Sequence, residues 1–497
     1  MTSKQTRRQV LSALAAFGGL GTAAVASAPT TAPFPAARPA NLGWQPPLYE
    51  RILATSGLSG EVSFAVASVT SGQVLQDHQA DLRLPPASVA KALTALYALD
   101  SLGAEHRFVT RLLATAPIAD GVLDGDLILA GGADPTLDTD DLAQMALALK
   151  QAGLREVRGR FVVYDGLLPF STTIDFDQPE QVGYSPAVSG IALNFNRVHF
   201  EWQRDVDGYK VTMDARTQRY RPDVAMARMR IAERSSPIYT YADKGNVDEW
   251  TVARPALGAK GARWLPVRKP GLYAGDVFRT LARSNGIILK PAETTQNLPA
   301  ADALVLHNSE PLRVILQGML RYSNNLTAEM VGMAASRSRG MPAGSIRGSA
   351  QVMSRWAAAR YGMVGTSLVD HSGLGGASRM TALDLTRALV QVRQRGVLRP
   401  LLRSFPLVDA QGRPIKDHLV KVDAKTGTLN FVSGLGGFLT TASGQELAFA
   451  IFAADVPRRE ALPRAQRERP EGGRTYATRA RRTQRALLEH WGALDAS

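Results

Sequence analysis

Three short polar clusters, far apart in the chain, hold the residues best suited to covalent chemistry. The first is Pro85-Pro86-Ala87-Ser88-Val89-Ala90-Lys91, the second Ser323-Asn324-Asn325, the third Lys425-Thr426-Gly427. Ser88 and Lys91 stand three residues apart, and a hydroxyl beside an amine is a nucleophile beside a potential base, provided the amine can shed its proton. The patterns S-x-x-K, S-x-N and K-T-G each occur once in the 497-residue chain. Alone, the first pair also fits an N-cap serine next to a surface lysine, and Ser323-Asn324 fits a cap on a helix through LTAEMVGMAA. That all three clusters occur, once each and in this order, weighs against each being only a cap or a strand end.

These residues need elements to carry them. Two prolines end whatever precedes Ser88, and the following run, with Ala92, Leu93, Leu96, Tyr97 and Leu99 clustered, predicts a helix with Ser88 in its first turn. Positions i and i+3 of a helix share a face, roughly 5–6 Å apart at Cβ, and the unpaired N–H groups of a helix start favour negative charge developing there. Before the helix, residues 60–78 alternate like a hairpin turning at Ser71-Gly72. Near the other end AKTGTLNFV, GLGGFLTTA and QELAFAIFAA read as three more strands, and TRARRTQRALLEHWGAL as a helix. Five strands from distant parts of the chain suggest one antiparallel sheet. Between them lies a β-rich insertion: LAQMALALKQAGL reads as a helix, FVVYD as a strand, residues 198–257 as short alternating runs, and GLYAGDVFRTLARSNGIIL as a helix then a strand. None of the insertion looks catalytic in itself.

Composition bounds the setting. Hydrophobic content of 45% and charged content of 21% describe an ordinary globular protein with room for two or three domains. No run after the first residues approaches the ~20 apolar positions of a membrane span. Residues 1–28 read as a leader: Arg7-Arg8 sits in a twin-arginine-like box, VLSALAAFGGL follows, and Ala24-Val25-Ala26 offers a cleavage site. Residues 29–47 read as a Pro/Ala-rich linker. Export, by the twin-arginine or an ordinary secretory route, and a periplasmic location are therefore expected. Without cysteine there is no disulfide, thiol nucleophile or thiolate metal site. The net charge is +14, and loss of Lys4, Arg7 and Arg8 with the leader leaves the mature chain basic. Arg458, Arg459, Arg464, Arg467, Arg469, Arg474, Arg479, Arg481, Arg482 and Arg485 concentrate that charge, either as a solvated face or as peripheral contact with anionic membrane or wall polymers. No nucleic-acid motif and no metal constellation stand out, and no cofactor is expected.

The three clusters resemble those of the penicillin-recognising enzymes, and the chain is similar in particular to the penicillin-binding protein 4 type of D-alanyl-D-alanine carboxypeptidase and endopeptidase, the class C low-molecular-mass group. LAGGADPTL at 129–137, Asn194-Phe195-Asn196, Asn308-Ser309-Glu310-Pro311-Leu312, the SNNLTAEM run and Asp370-His371-Ser372-Gly373-Leu374 carry the likeness further, from about residue 50 onward. The chain departs in DHSGLGGASR, which carries a small insertion before Arg379, and in a last strand ending in Ala-Ala-Asp. The resemblance implies an α+β fold: a five-stranded antiparallel sheet with helices on both faces, in segments 48–110 and 300–497. It also implies an inserted domain at 111–197 and 258–299, with a further domain, 198–257, nested in it.

The same resemblance implies roles. Ser88 is the nucleophile toward peptidoglycan stem peptides and β-lactams, and Lys91 the base, its ammonium disfavoured by burial and by the charge of Lys425. Ser323 passes a proton to the leaving amine, Asn325 orients Lys91 and the substrate amide, and the Lys425–Thr426–Gly427–Thr428 edge binds the substrate strand and its carboxylate. The backbone N–H groups of Ser88 and Thr428 form the oxyanion hole. Asp165, Phe170 and Arg379 are expected to hold the charged end of a diaminopimelate side chain. A β-lactamase shares the three clusters, and an idle penicillin-sensing or wall-binding module would keep the fold without turnover; a Ser-His-Asp hydrolase is disfavoured because no G-x-S-x-G is present. Oligomeric state is not legible.

Overall fold

The computed structural model describes residues 48–409 and 411–494; the expected leader and linker lie outside them. The sheet that carries the site runs in the order Arg403–Ser404, Lys421–Leu429, Val432–Thr440, Glu446–Ala454, Glu61–Ser68, Val74–His78, with every neighbouring pair antiparallel. The five expected strands are present; the sixth, Arg403–Ser404, covers only Asp423 and Ala424 of its neighbour. From Lys425 onward the edge of that neighbour is therefore open on one side.

Both faces of the sheet are covered. Phe64, Val66, Leu435, Phe449 and Ile451 pack with Leu487, Leu488 and Trp491 of the helix Gly473–Gly492, whose indole ring meets Phe64 at 5.4 Å. Ala65, Ala67, Phe438, Ala448, Ala450 and Phe452 point the other way, toward the helices Ala90–Leu102 and Ala382–Arg393. Burial on both faces explains why QELAFAIFAA is apolar throughout instead of alternating. The helix Ala90–Leu102 is likewise enclosed: every residue from Ala90 to Ala98 is buried, so its apolar residues surround it where a surface helix would carry a stripe.

The insertion supplies a five-stranded sheet in the order Ala292–Thr295, Phe161–Tyr164, Leu127–Ala130, Val109–Ala114, Asp302–Asn308, plus two three-stranded sheets built from Arg197–Asp205 through Lys260–Pro266 and a small one near Ile118. The helix Thr139–Gln151 opens on a capping box in which the Asp138 carboxylate accepts from the Asp140 and Asp141 N–H groups, and it packs beside the helix Pro270–Ser284. Two expectations need correction. Asp302–Asn308, assigned to the catalytic segment beginning at 300, pairs along Val109–Ala114, so the chain leaves and re-enters the catalytic part through adjacent strands. No strand directly follows Ser284; Ile288 makes a single bridge to Glu156 before the strand Ala292–Thr295.

Candidate active site

Ser88 lies in a 3-10 turn, Ala87–Val89, one step before the α-helix and not in its first turn as expected. Three residues per turn eclipses i and i+3, and Lys91 Nζ donates to Ser88 Oγ at 2.8 Å. The same amine donates to Asn325 Oδ1 at 2.7 Å and to the Ser372 carbonyl at 2.7 Å. Lys91 is wholly buried, and burial lowers its pKa to about 7 even though Asp370 and Glu329 pull upward. The charge of Lys425 was expected to help; burial alone accounts for the fall at Lys91. Repulsion registers at the other end of the pair, where burial first and Lys91 second hold Lys425 well below an ordinary amine.

Ser323 occupies the joint between the helices Leu312–Tyr322 and Asn325–Ser338. It takes the left-handed conformation (φ 57°, ψ 37°), which ends the first helix at a cost of about 1–3 kcal/mol for a residue with a side chain. Asn324 then caps the second helix by accepting from Thr327 N at 3.0 Å. The capping role and the site role thus coexist in one S-x-N. Lys425 Nζ donates to Ser323 Oγ at 3.0 Å and to the Thr426 carbonyl at 2.6 Å, giving a second amine–hydroxyl pair opposite the first. Gly427 makes this convergence possible: a Cβ there would stand 2.8 Å from the Pro86 carbonyl oxygen and 3.0 Å from Ser88 N.

Behind Lys91 lies a buried polar layer that sequence reasoning missed. The Glu329 carboxylate accepts from His371 N and Ser372 N, both at 2.9 Å, and so aims the Ser372 carbonyl at Lys91. Asp370 accepts from Gly373 N at 2.6 Å and Gly375 N at 2.5 Å. Burial raises the pKa of both carboxyls. Glu329 could have been found: it follows Asn325 by four residues, on the same helix face. The insertion also contributes, against expectation. Asn325 Nδ2 donates to the Tyr184 carbonyl at 2.9 Å, and Tyr184 with Gln178 lines the cleft at Ser88. No signal in the sequence marked Tyr184.

That cleft holds about 950 Å³ and is bounded by Ser88, Ser323, Asn325, Leu374 and Thr428, then by residues 459–481. Thr426 is not among its lining residues; it lines a neighbouring groove together with Gly427 and Thr428. The residues expected at the diaminopimelate end are not among those lining this cleft. Asp165 is buried under the helix Pro270–Ser284, accepts from Gln296 Nε2 at 2.5 Å, and is pushed up to about 6 by burial. Phe170 is half-exposed. Arg379 folds back on its own loop, donating to the Gly376 and Ser378 carbonyls at 2.6 and 2.9 Å. Elsewhere, His199, Glu201 and Asp214 have metal-like spacing, but the Arg216 guanidinium already binds both acids at 2.5 Å.

A sheet covered by helices on both faces, with a large β-rich insertion and two lysine–serine pairs at its open edge, is the architecture of a penicillin-binding protein. The crystal structure of penicillin binding protein 4 (dacB) from Haemophilus influenzae superposes with a TM-score of 0.73 at 18% identity, covering 90% of this chain and 100% of that one. The chain belongs to the D-Ala-D-Ala carboxypeptidase 3 (S13) family, which matches residues 49–469. Among characterised relatives, the D-alanyl-D-alanine carboxypeptidase of Actinomadura sp. (strain R39) is 29% identical over 438 residues, 81% of this chain and 79% of that protein. The D-alanyl-D-alanine carboxypeptidase DacB of Haemophilus influenzae is 26% identical over 422 residues, 79% of this chain and 85% of that protein. By family it is a serine-type carboxypeptidase.

Proposed function

We propose that the chain hydrolyses the D-Ala-D-Ala and D-alanyl-diaminopimelate bonds of peptidoglycan stem peptides through an acyl-enzyme on Ser88, and that β-lactams acylate the same residue. The observation that carries this reading is the fully buried Lys91 amine, 2.8 Å from Ser88 Oγ and with its pKa near neutrality. Neutral Lys91 takes the hydroxyl proton as Ser88 attacks the carbonyl; the C–N bond breaks, and the leaving amine is protonated through Ser323. Water then opens the ester and releases the acid. Asn325 holds Lys91 in place throughout. A substrate carboxylate beside Lys425 and Thr428 favours the ammonium form of Lys425 again, so clamp and ligand charge each other. The open edge from Lys425 to Leu429 suits an extended peptide added as a strand.

The β-lactam complex of Haemophilus influenzae penicillin binding protein 4, whose fold this chain shares with a TM-score of 0.69, supports the inhibitor half of the reading. Fluorescent penicillin should label the wild-type protein and leave Ser88→Ala unlabelled, and only the former should release D-alanine from a pentapeptide. Labelling that survives the substitution removes Ser88 from the mechanism. Rapid turnover of the drug would instead define a β-lactamase. The leader supports periplasmic delivery by the twin-arginine route, tested by fractionating an Arg7→Lys/Arg8→Lys variant. The separate small sheets support a nested domain at 198–257, although Phe200, Trp250 and Val252 share one core with Tyr273 and Phe278.

A further inference from the structure

The arginines that crowd the last part of the sequence do not all form an outer face. Arg459, Arg467, Arg469, Arg474 and Arg481 line the same cleft as Ser88, with Glu468 as the sole carboxylate among the lining residues. That glutamate is already engaged by Arg263 at 2.9 Å and by Gln181 at 2.7 Å. Arg467 reaches Asp177 at 3.5 Å, and Arg459 is buried with a carbonyl, Asn430 O, as its partner. Arg469, Arg474 and Arg481 have no carboxylate within ion-pair distance among the described residues. The helix Gly473–Gly492 begins in this wall with no side-chain cap, so its positive end adds to the same field.

From this wall we infer a second anionic subsite, in which Arg469, Arg474 and Arg481 grip carboxylates of the peptide strand at a distance from the scissile bond. The inference rests on Ser88 as the nucleophile and names what the far end of its substrate must carry. Arg469, Arg474 and Arg481 are exposed along this concave wall, and guanidinium groups without a carboxylate of their own are matched by planar carboxylates, which they bind bidentately. A peptide is favoured over a phosphate polymer because the wall is continuous with Thr428, Leu429 and Asn430, where an extended strand entering along the open sheet edge would run. Arg481 is shared between this cleft and the neighbouring groove that Thr426 lines.

The test uses N-acyl peptides ending in D-Ala-D-Ala that carry two, one or no side-chain carboxylates, each acid being replaced in turn by its amide. For the wild type at low salt, kcat/KM should fall by about tenfold or more from diacid to diamide, mostly through KM, and the preference should shrink as salt rises. The triple variant Arg469→Ala/Arg474→Ala/Arg481→Ala should lose most of that preference, whereas Arg347→Ala, on a remote helix, should keep it. Charge reversal at Arg474→Glu should move the preference toward a lysine-bearing peptide, which a merely unfolded protein could not do. Equal preference in wild type and triple variant overturns the subsite. So does inhibition by a phosphodiester polymer with indifference to peptide carboxylates. Fluorescent-penicillin labelling run in parallel separates the two failures: loss of labelling in the wild type sinks the Ser88 reading, and intact labelling with no carboxylate preference sinks only the subsite.

Discussion

At the residue scale the site is two buried amines, each on a serine hydroxyl, with carboxylates behind one of them. Lys91 is protonated and idle below about pH 7 and neutral above it, so acylation by a β-lactam should rise with pH through that value. Stopped-flow acylation rates across pH 5–9 would check this, and a flat profile would remove Lys91 as the base. The same depressed pKa penalises folding below about 7, a penalty that fades as pH climbs to the ordinary lysine value of ~10.4. Glu329→Gln removes a charge that holds the Lys91 pKa up, so the rate profile should move to lower pH. Its amide N–H₂ must also face the N–H of His371 or Ser372, which should cost about 1–3 kcal/mol in thermal unfolding. Ser88, Lys91, Ser323, Asn325 and Lys425 were legible because unusual residue types recur there in a short, ordered pattern. The orientations of Asp165, Phe170 and Arg379 were not legible, because position along a motif says nothing about which way a side chain turns. Asp165 turned under a helix and Arg379 onto its own carbonyls.

At the scale of elements, close backbone approach is what brings three clusters within touching range. Gly427→Ala would push the strand Lys421–Leu429 off the turn at Pro86–Ser88, so penicillin acylation should slow by about tenfold or more while the sheet survives. Gly373 is stricter: it sits at φ 74°, and a Cβ would come within 1.9 Å of the Ala87 carbonyl oxygen. Gly373→Ala should therefore lower the melting temperature as well as the acylation rate, and an unchanged melt would contradict the packing described. The sheet strands announced themselves by the alternation of GEVSFAVASVT and by apolar runs joined at Ser71-Gly72 and Ser443-Gly444. The 3-10 turn did not, because a helix start and a 3-10 start share the same prolines and the same apolar followers.

At the scale of the molecule, the insertion braces the site. Arg268, almost fully buried, donates to the Thr172, Ser185 and Glu180 carbonyls at 2.7, 2.9 and 2.6 Å and so fastens the segment that presents Tyr184 to Asn325. Arg268→Ala should unfasten that segment, lower stability by about 2 kcal/mol or more, and slow acylation by loosening Asn325, though neither residue touches the bond being broken. Normal acylation in that variant would show the insertion to be a passenger. This coupling was invisible in the sequence because it joins positions about 140 residues apart through a backbone carbonyl, which leaves no residue-type signature. The sheet order has a further consequence for the making of the protein. Glu61–Ser68 pairs with Val74–His78 on one edge, but its other edge is filled only by Glu446–Ala454, so a ribosome must add more than three hundred residues after the nucleophile before a working cleft can close. A nascent or prematurely terminated chain carries Ser88 and Lys91 yet has no lysine opposite them, so the two amine–hydroxyl pairs can meet only once the last third of the chain has been made.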